Sequence, residues 1–213
     1  VTRYMVEQVL GRWLADRKEE LGFNKVTPLT DEDYASIKLV GVKRGQKLQY
    51  NANVQKHINI WEAYRDRLSA IRIIDPACGS GAFLNEVFDF LYREGQIINR
   101  TLETFYGGQI NLFRWDTHIL ANNIFGVDIN RESVEITKLS LWLKTANRNE
   151  KLSYLDDNIK TGNSLIKDSS IAGDLAFDWA AQFPQVMENG GFDIVLANPP
   201  YVDSEAMAKS WTR

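Results

Sequence analysis

Apolar residues recur at positions 5, 6, 9, 10, 13 and 14 of RYMVEQVLGRWLADRKEEL. That spacing gives one apolar face and predicts a helix over 3–21, with Gly22 as its stop. Thr30 followed by Asp33 has the form of an N-cap with an acidic third residue, which predicts a short helix over 31–37. Residues 38–53 are basic and polar, carry Gly41 and Gly45, and read as a loop or weak hairpin; helical spacing returns over 54–68. The texture then changes. IRIID (71–75) is a short β-branched run before the turn PACGSG, and a helix is predicted over 82–94. Residues 95–123 read as an interruption with Gly107-Gly108 and a helix from about 113. IFGVD (124–128) is a second strand, followed by a helix over 131–146, and NIKTGNSL (158–165) holds a short third strand. Residues 166–191 connect, anchored by Trp179 and Phe183, to the fourth strand in FDIVLA. Strands alternating with helices predict an α/β chain with a parallel, doubly wound sheet.

Composition narrows the function classes. The chain has 213 residues, of which 44% are hydrophobic, so a sizeable core is expected. One cysteine (Cys78) and two histidines (His57, His118) exclude an intrachain disulfide and argue against a Cys/His zinc site. This usage fits a reducing cytoplasm. The apolar runs fall short of the ~20 residues of a membrane span, and the start has no secretory pattern. The net charge of −3 lacks the basic excess of a free-standing nucleic-acid binder. It leaves room for a catalytic module whose DNA grip comes from elsewhere. The first residue is Val1 and not Met, which suggests a fragment or processed chain.

Candidate chemistry gathers at the four predicted strand ends, where parallel sheets bind ligands. In DPACGSGAFL, Gly79 and Gly81 allow tight dihedrals and close approach of a ligand to a helix N-terminus. The position three residues after Gly81 is Leu84, which departs from the dinucleotide fingerprint. Cys78 lacks an evident activating neighbour and reads as a small buried filler. Asp128 suits the hydroxyls of a ribose, and equally suits a helix cap with Asn130. Asn163 in TGNSL can meet a nucleobase edge, although an Asx turn explains it better on its own. In NPPY, the Asn198 amide oxygen and the Pro199 carbonyl are two acceptors held by stiff backbone, and Tyr201 offers a stacking face. Together they suit a planar group bearing an NH2.

These segments, taken together, resemble S-adenosylmethionine-dependent methyltransferases acting on the N6 amine of adenine in DNA. DPACGSGAFL looks like their cofactor loop, GVDIN their ribose-binding strand end, GNSL their third motif and NPPY their catalytic tetrad, in the gamma order. YMVEQVLGRWL, WEAYRDRL, VEITKLSLWLKTAN and GGFDIVLANPPY are similar to the methylase domain of type IIG restriction–modification enzymes. The resemblance implies a Rossmann-like methyltransferase core over 71–213, lacking its C-terminal strands, behind a helical region over 1–70. It implies that Asp75, Ala77, Gly79 and Gly81 line the methionine end of S-adenosylmethionine. Asp128 would hold the ribose, Ile129 would pack on the cofactor adenine, and Asn163, where many members have aspartate, would meet its edge. Asn198 and Pro199 would bind the target amine, Pro200 would stiffen them, and Tyr201 would stack on the base. No metal is implied. Double-stranded DNA would be gripped by parts of a parent chain absent here, and no oligomeric state is indicated. Rival readings are an NPPY methyltransferase of protein glutamine or RNA guanine and, for this chain in isolation, a non-catalytic binding module.

Overall fold

A computed structural model describes residues 1–42, 50–108, 111–145 and 155–198, with the side chains of 38–42 left aside. Helix α1 (Thr2–Glu20) buries Val6, Leu10 and Leu14, one residue per turn, and the chain leaves it through Gly22 at φ 83°. Helix α2 (Asp31–Val42) starts where Thr30 predicts it. The Thr30 hydroxyl accepts from the Asp33 N–H at 3.2 Å, and the Asp33 carboxylate accepts from the Thr30 N–H at 2.9 Å. This reciprocal cap satisfies two donors that the first turn leaves open. Asp33 also accepts from the Asn51 and Asn53 amides at 2.6 and 3.0 Å, tying α2 to the start of helix α3 (Ala52–Ala70). These donors, the Thr30 N–H foremost, hold its carboxyl down at about 2. The loop expected from residue 38 is corrected here, because α2 runs on to Val42. Gly41 costs about 1 kcal/mol in a helix, which is not enough to stop one that is well capped at its start. The rest of the predicted loop, 43–49, lies outside the described residues.

Four parallel strands follow in the order β3-β2-β1-β4. They are β1 (Ile73–Asp75), β2 (Ile124–Asp128), β3 (Ile159–Thr161) and β4 (Ile194–Val195). Ile73 pairs with both Ile124 and Ile194, and Gly126 with both Asp75 and Ile159, so β1 and β2 are the inner strands. Between them run α4 (Ala82–Phe105), α5 (Trp115–His118), a π-helical turn (Ile119–Asn123) and α6 (Arg131–Thr145). The helix predicted over 82–94 is longer than expected. Gly95 does not end it, because that glycine lies under the Trp115 ring, which a Cβ would approach to 2.4 Å. The buried face simply continues through Ile98, Leu102 and Phe105.

Successive residues of β1 serve opposite faces. Ile73 joins a large core that also holds Val6, Leu10, Tyr64, Leu68, Leu84 and Ile124. The N-terminal helices and the sheet therefore share one core. Ile74 joins a smaller core with Phe125, Val127, Phe177, Phe183 and Val186. That second layer comes from the 162–193 connection and its short helices α7 (Ser169–Ala172), α8 (Trp179–Gln182) and α9 (Pro184–Glu188). The expected anchors both pack there, Phe183 buried and Trp179 partly so. Helices on both faces of a parallel sheet make this a partial Rossmann-like, doubly wound fold. Among the described residues no helix is long and apolar enough to cross a membrane.

Candidate functional site

The turn after β1 is built by its own backbone. The Cys78 N–H donates to the Val127 carbonyl at 3.0 Å, which keeps the chain against β2 past the end of the strand. Gly79 and Gly81 then take φ of 52° and 84°, conformations that cost other residues energy. The Gly79 N–H donates to Asp128 Oδ2 at 2.7 Å. Asp75, 1% exposed, lies behind this turn. One of its oxygens accepts from the Ala77 N–H at 3.0 Å. Burial pushes its carboxyl up to about 6, the Asp128 charge adds to the rise, and the Ala77 N–H opposes it. Burial likewise pushes the Cys78 thiol up to about 12, with Asp75 and Asp128 adding. A thiol so placed is not a nucleophile, in keeping with its reading as filler.

The structure separates the two roles considered for Asp128. Asn130 is the residue that caps α6, accepting from the Ser133 N–H at 2.9 Å. Asp128 accepts from the Asn130 N–H at 2.8 Å with Oδ1 and turns Oδ2 toward the glycine turn. Next to it, Ile129 is 55% exposed. At the end of β3, Gly162 donates to the Asp128 carbonyl at 2.9 Å. Any Cβ on Gly162 would meet the Phe177 ring at 2.4 Å, so glycine lets the second core close. Asn163 forms the Asx turn, its Oδ1 accepting from the Leu165 N–H at 3.1 Å. Trp179 holds the same loop by donating from Nε1 to the Ser164 carbonyl at 3.0 Å.

These strand ends open onto one cavity of about 860 Å³. Of the predicted residues, Ala77, Gly79, Asp128, Ile129, Asn163 and Asn198 line it. Asp75 and Gly81 are not on the wall; they shape the turn from behind. Pro199, Pro200 and Tyr201 lie outside the described residues. Trp179, Met187, Phe192 and Val195 supply apolar wall that sequence reasoning did not single out as site residues. Thr137 was also missed. It is fully buried in α6 and donates from its hydroxyl to the Gly79 carbonyl at 2.8 Å. Its signal was a hydroxyl on the apolar stripe formed with Val134 and Leu141. Among the described residues no group of three or more His, Cys, Asp or Glu side chains could hold a metal ion.

A glycine turn, an acidic strand end and a partly apolar cavity at the carboxyl edge of a parallel sheet define the nucleotide-type ligand site of Rossmann-like proteins. The family is more specific. Residues 122–212 match the family model described as Eco57I restriction-modification methylase. A putative type II restriction enzyme and methyltransferase of Methanocaldococcus jannaschii, RM.MjaORFECS2P, is 27% identical over 175 residues, covering 78% of this chain and 14% of that protein. The type II restriction enzyme and methyltransferase RM.Eco57I of Escherichia coli is 30% identical over 156 residues, with coverages of 64% and 15%. The adenine-specific methyltransferase PglX of Streptomyces coelicolor is 27% identical over 161 residues, with coverages of 62% and 12%. The chain is thus a distant homologue of restriction–modification enzymes with methyltransferase, and it spans about an eighth to a seventh of the length of these relatives.

Proposed function

We propose that this chain is the catalytic methylase part of a restriction–modification enzyme that transfers a methyl group from S-adenosylmethionine to the N6 amine of adenine in double-stranded DNA. The observation that carries this reading is the meeting of Ala77, Gly79, Asp128, Ile129, Asn163 and Asn198 on one cavity. The methylase match over 122–212 supports methyl transfer, and the printed specificity of the Streptomyces relative supports adenine.

The residues present fit the cofactor. Asp128 is a half-buried carboxylate at a strand end, suited to accept from ribose hydroxyls. Ile129 offers exposed apolar surface for a purine face. A Cβ at Gly79 would meet nothing within 4 Å, so the turn is open where a ligand would pass. When bound, S-adenosylmethionine supplies an electrophilic methyl on a sulfonium.

The protein's part is to prepare the nucleophile. An exocyclic adenine amine is a poor one because its lone pair is delocalised into the ring. The Asn198 amide oxygen and the Pro199 carbonyl accept hydrogen bonds from its two N–H groups and thereby localise the lone pair on nitrogen. Pro200 keeps both acceptors aimed, and Tyr201 stacks on the base once it has left the duplex. Ala77 and Gly79 fix the methionine end, Asp75 and Gly81 shape the turn behind them, and Asn163 meets the adenine edge. Positioning and preorganised acceptors supply most of the acceleration. The net charge of −3 is in keeping with a DNA grip on other parts of the full-length protein, which is proposed to act in the cytoplasm.

The test uses the full-length protein with labelled cofactor and DNA, RNA or a glutamine-bearing protein substrate. Label is expected in DNA adenine. Label in RNA guanine or protein glutamine would instead assign the same amide-type receptor to those substrates. The Asn198→Ala variant is expected to keep cofactor binding and lose at least ~10²-fold in transfer, as removal of one preorganised partner does elsewhere. Near-normal transfer would remove Asn198 from the mechanism.

A further inference from the structure

We propose that Thr137 is a positioning residue for the cofactor turn, fixing the Gly79 carbonyl against α6 so that Gly79 and Asp128 form one rigid corner of the cavity. This rests on the S-adenosylmethionine reading given above. The argument starts from burial. Thr137 is 0% exposed and sits on the stripe Val134, Thr137, Leu141 that faces the interior. A hydroxyl there needs a partner, since leaving it unpaired costs more than an aliphatic side chain would. Its partner is the Gly79 carbonyl at 2.8 Å.

Gly79 is therefore held at both of its backbone groups. Its N–H goes to Asp128 on β2 at 2.7 Å and its C=O goes to Thr137 on α6. A φ of 52° with no Cβ leaves the glycine with wide freedom in the absence of such holds. The fit is close on the next glycine as well, because a Cβ on Gly81 would come within 2.9 Å of the Thr137 side chain. One turn further along α6, Ser140 accepts from the Asn85 amide at 2.9 Å, and the same amide donates to the Gly81 carbonyl at 2.9 Å. Helix α6 thus fastens both ends of the 79–81 segment. Without the Thr137 hydroxyl, the Gly79 carbonyl is free to swing toward the cavity, and Asp128 loses the fixed N–H that aims it. The ligand would then have to order the turn on binding, which lowers affinity.

The experiment compares Thr137→Val and Thr137→Ser with the unaltered full-length protein. Valine keeps the branched shape and removes the donor; serine keeps the donor. At a temperature where circular dichroism shows all three folded, titration calorimetry with S-adenosylmethionine is expected to give a Kd about 10-fold higher for Thr137→Val, the loss of one net hydrogen bond. Thr137→Ser should stay within about threefold, because it keeps that bond. In steady state the KM for the cofactor should rise in Thr137→Val with kcat little changed. A second readout needs no ligand: hydrogen exchange in the 76–82 segment should quicken in Thr137→Val and not in Thr137→Ser. A merely structural role would lower the melting temperature of Thr137→Val while leaving Kd and the 76–82 exchange as in the unaltered protein, and that result overturns the proposal. If the unaltered protein takes up no S-adenosylmethionine, the proposed function fails, and unchanged 76–82 exchange would then overturn the hold on the turn separately.

Discussion

Asp75 is a carboxyl held where burial opposes its charge. Its carboxyl stands at about 6 against an ordinary 3.8, so the folded chain holds its proton more tightly than the unfolded one. The stability this gives is fully present below about 3.8 and is lost as pH rises through about 6. The difference corresponds to about 3 kcal/mol at most. Asp75→Asn removes the charge and keeps an oxygen for the Ala77 N–H. Urea midpoints should therefore be nearly equal for the two proteins at pH 4 and should favour Asp75→Asn at pH 7.5. Its effect on S-adenosylmethionine binding should be small, since Asp75 stands behind the turn and not on the cavity wall. The residue types of this site were legible because Gly79, Gly81, Asp128 and Asn198 all follow short apolar runs. Thr137 was not, since a single hydroxyl on a helix stripe looks like ordinary helix composition until its distant partner is seen.

At the scale of elements, the inner strand β2 was readable to the residue, because IFGVD is apolar and β-branched on both sides of its glycine. Gly126 has a packing reason: a Cβ there would come within 2.8 Å of Leu84 and 3.1 Å of the Cys78 sulfur. Helix α4 was misjudged at Gly95 because a glycine after Glu94 has the look of a stop. What overrides that signal is a tertiary contact with Trp115, whose indole also donates to Asn99 at 3.3 Å. Gly95→Ala is accordingly expected to destabilise the protein by about 2 kcal/mol, overpacking outweighing the ~1 kcal/mol that alanine gains in a helix. Chemical denaturation would detect it as a lowered midpoint with unchanged slope, and a stabilised variant would contradict the contact. Strand β4 was expected over FDIVLA, and only Ile194–Val195 forms ladder. One further backbone bond follows, the Leu196 N–H donating to the Ile74 carbonyl at 2.9 Å, as β1 itself ends at Asp75.

For the whole molecule, the division at residue 70 proposed from sequence follows a change in texture, whereas the core crosses it. Val6, Leu10, Val54, Ile58 and Leu68 pack in the same cluster as Leu91, Ile98 and Ile124. Tyr64 also reaches across, donating to Glu94 at 2.8 Å, and Lys18 meets the same carboxylate at 2.6 Å. Deleting residues 1–70 should expose the inner side of α4 and yield material that binds hydrophobic dyes and unfolds without cooperativity. A sharp melting transition from that deletion would show the 71–213 region to be self-sufficient. The acidic balance, which set the expectation of a DNA grip located elsewhere, belongs to this scale too.

The edge position of β4 has a consequence for how the protein is made. Its attachment to β1 runs through Arg72, whose N–H donates to Asp193 at 2.8 Å across 121 residues of sequence. Contacts so distant in sequence close late, because long loops must be ordered before any reward arrives. During synthesis the residues proposed for the cofactor, 75 to 163, are added before Asn198. The cofactor side can therefore assemble as a provisional layer, and the strand that leads to Asn198 docks onto a β1 edge already in place. Pulse-labelled hydrogen exchange during refolding should find β2 amides protected before those of β4, which would make the Asn198 side of the cavity the last part of the fold to form.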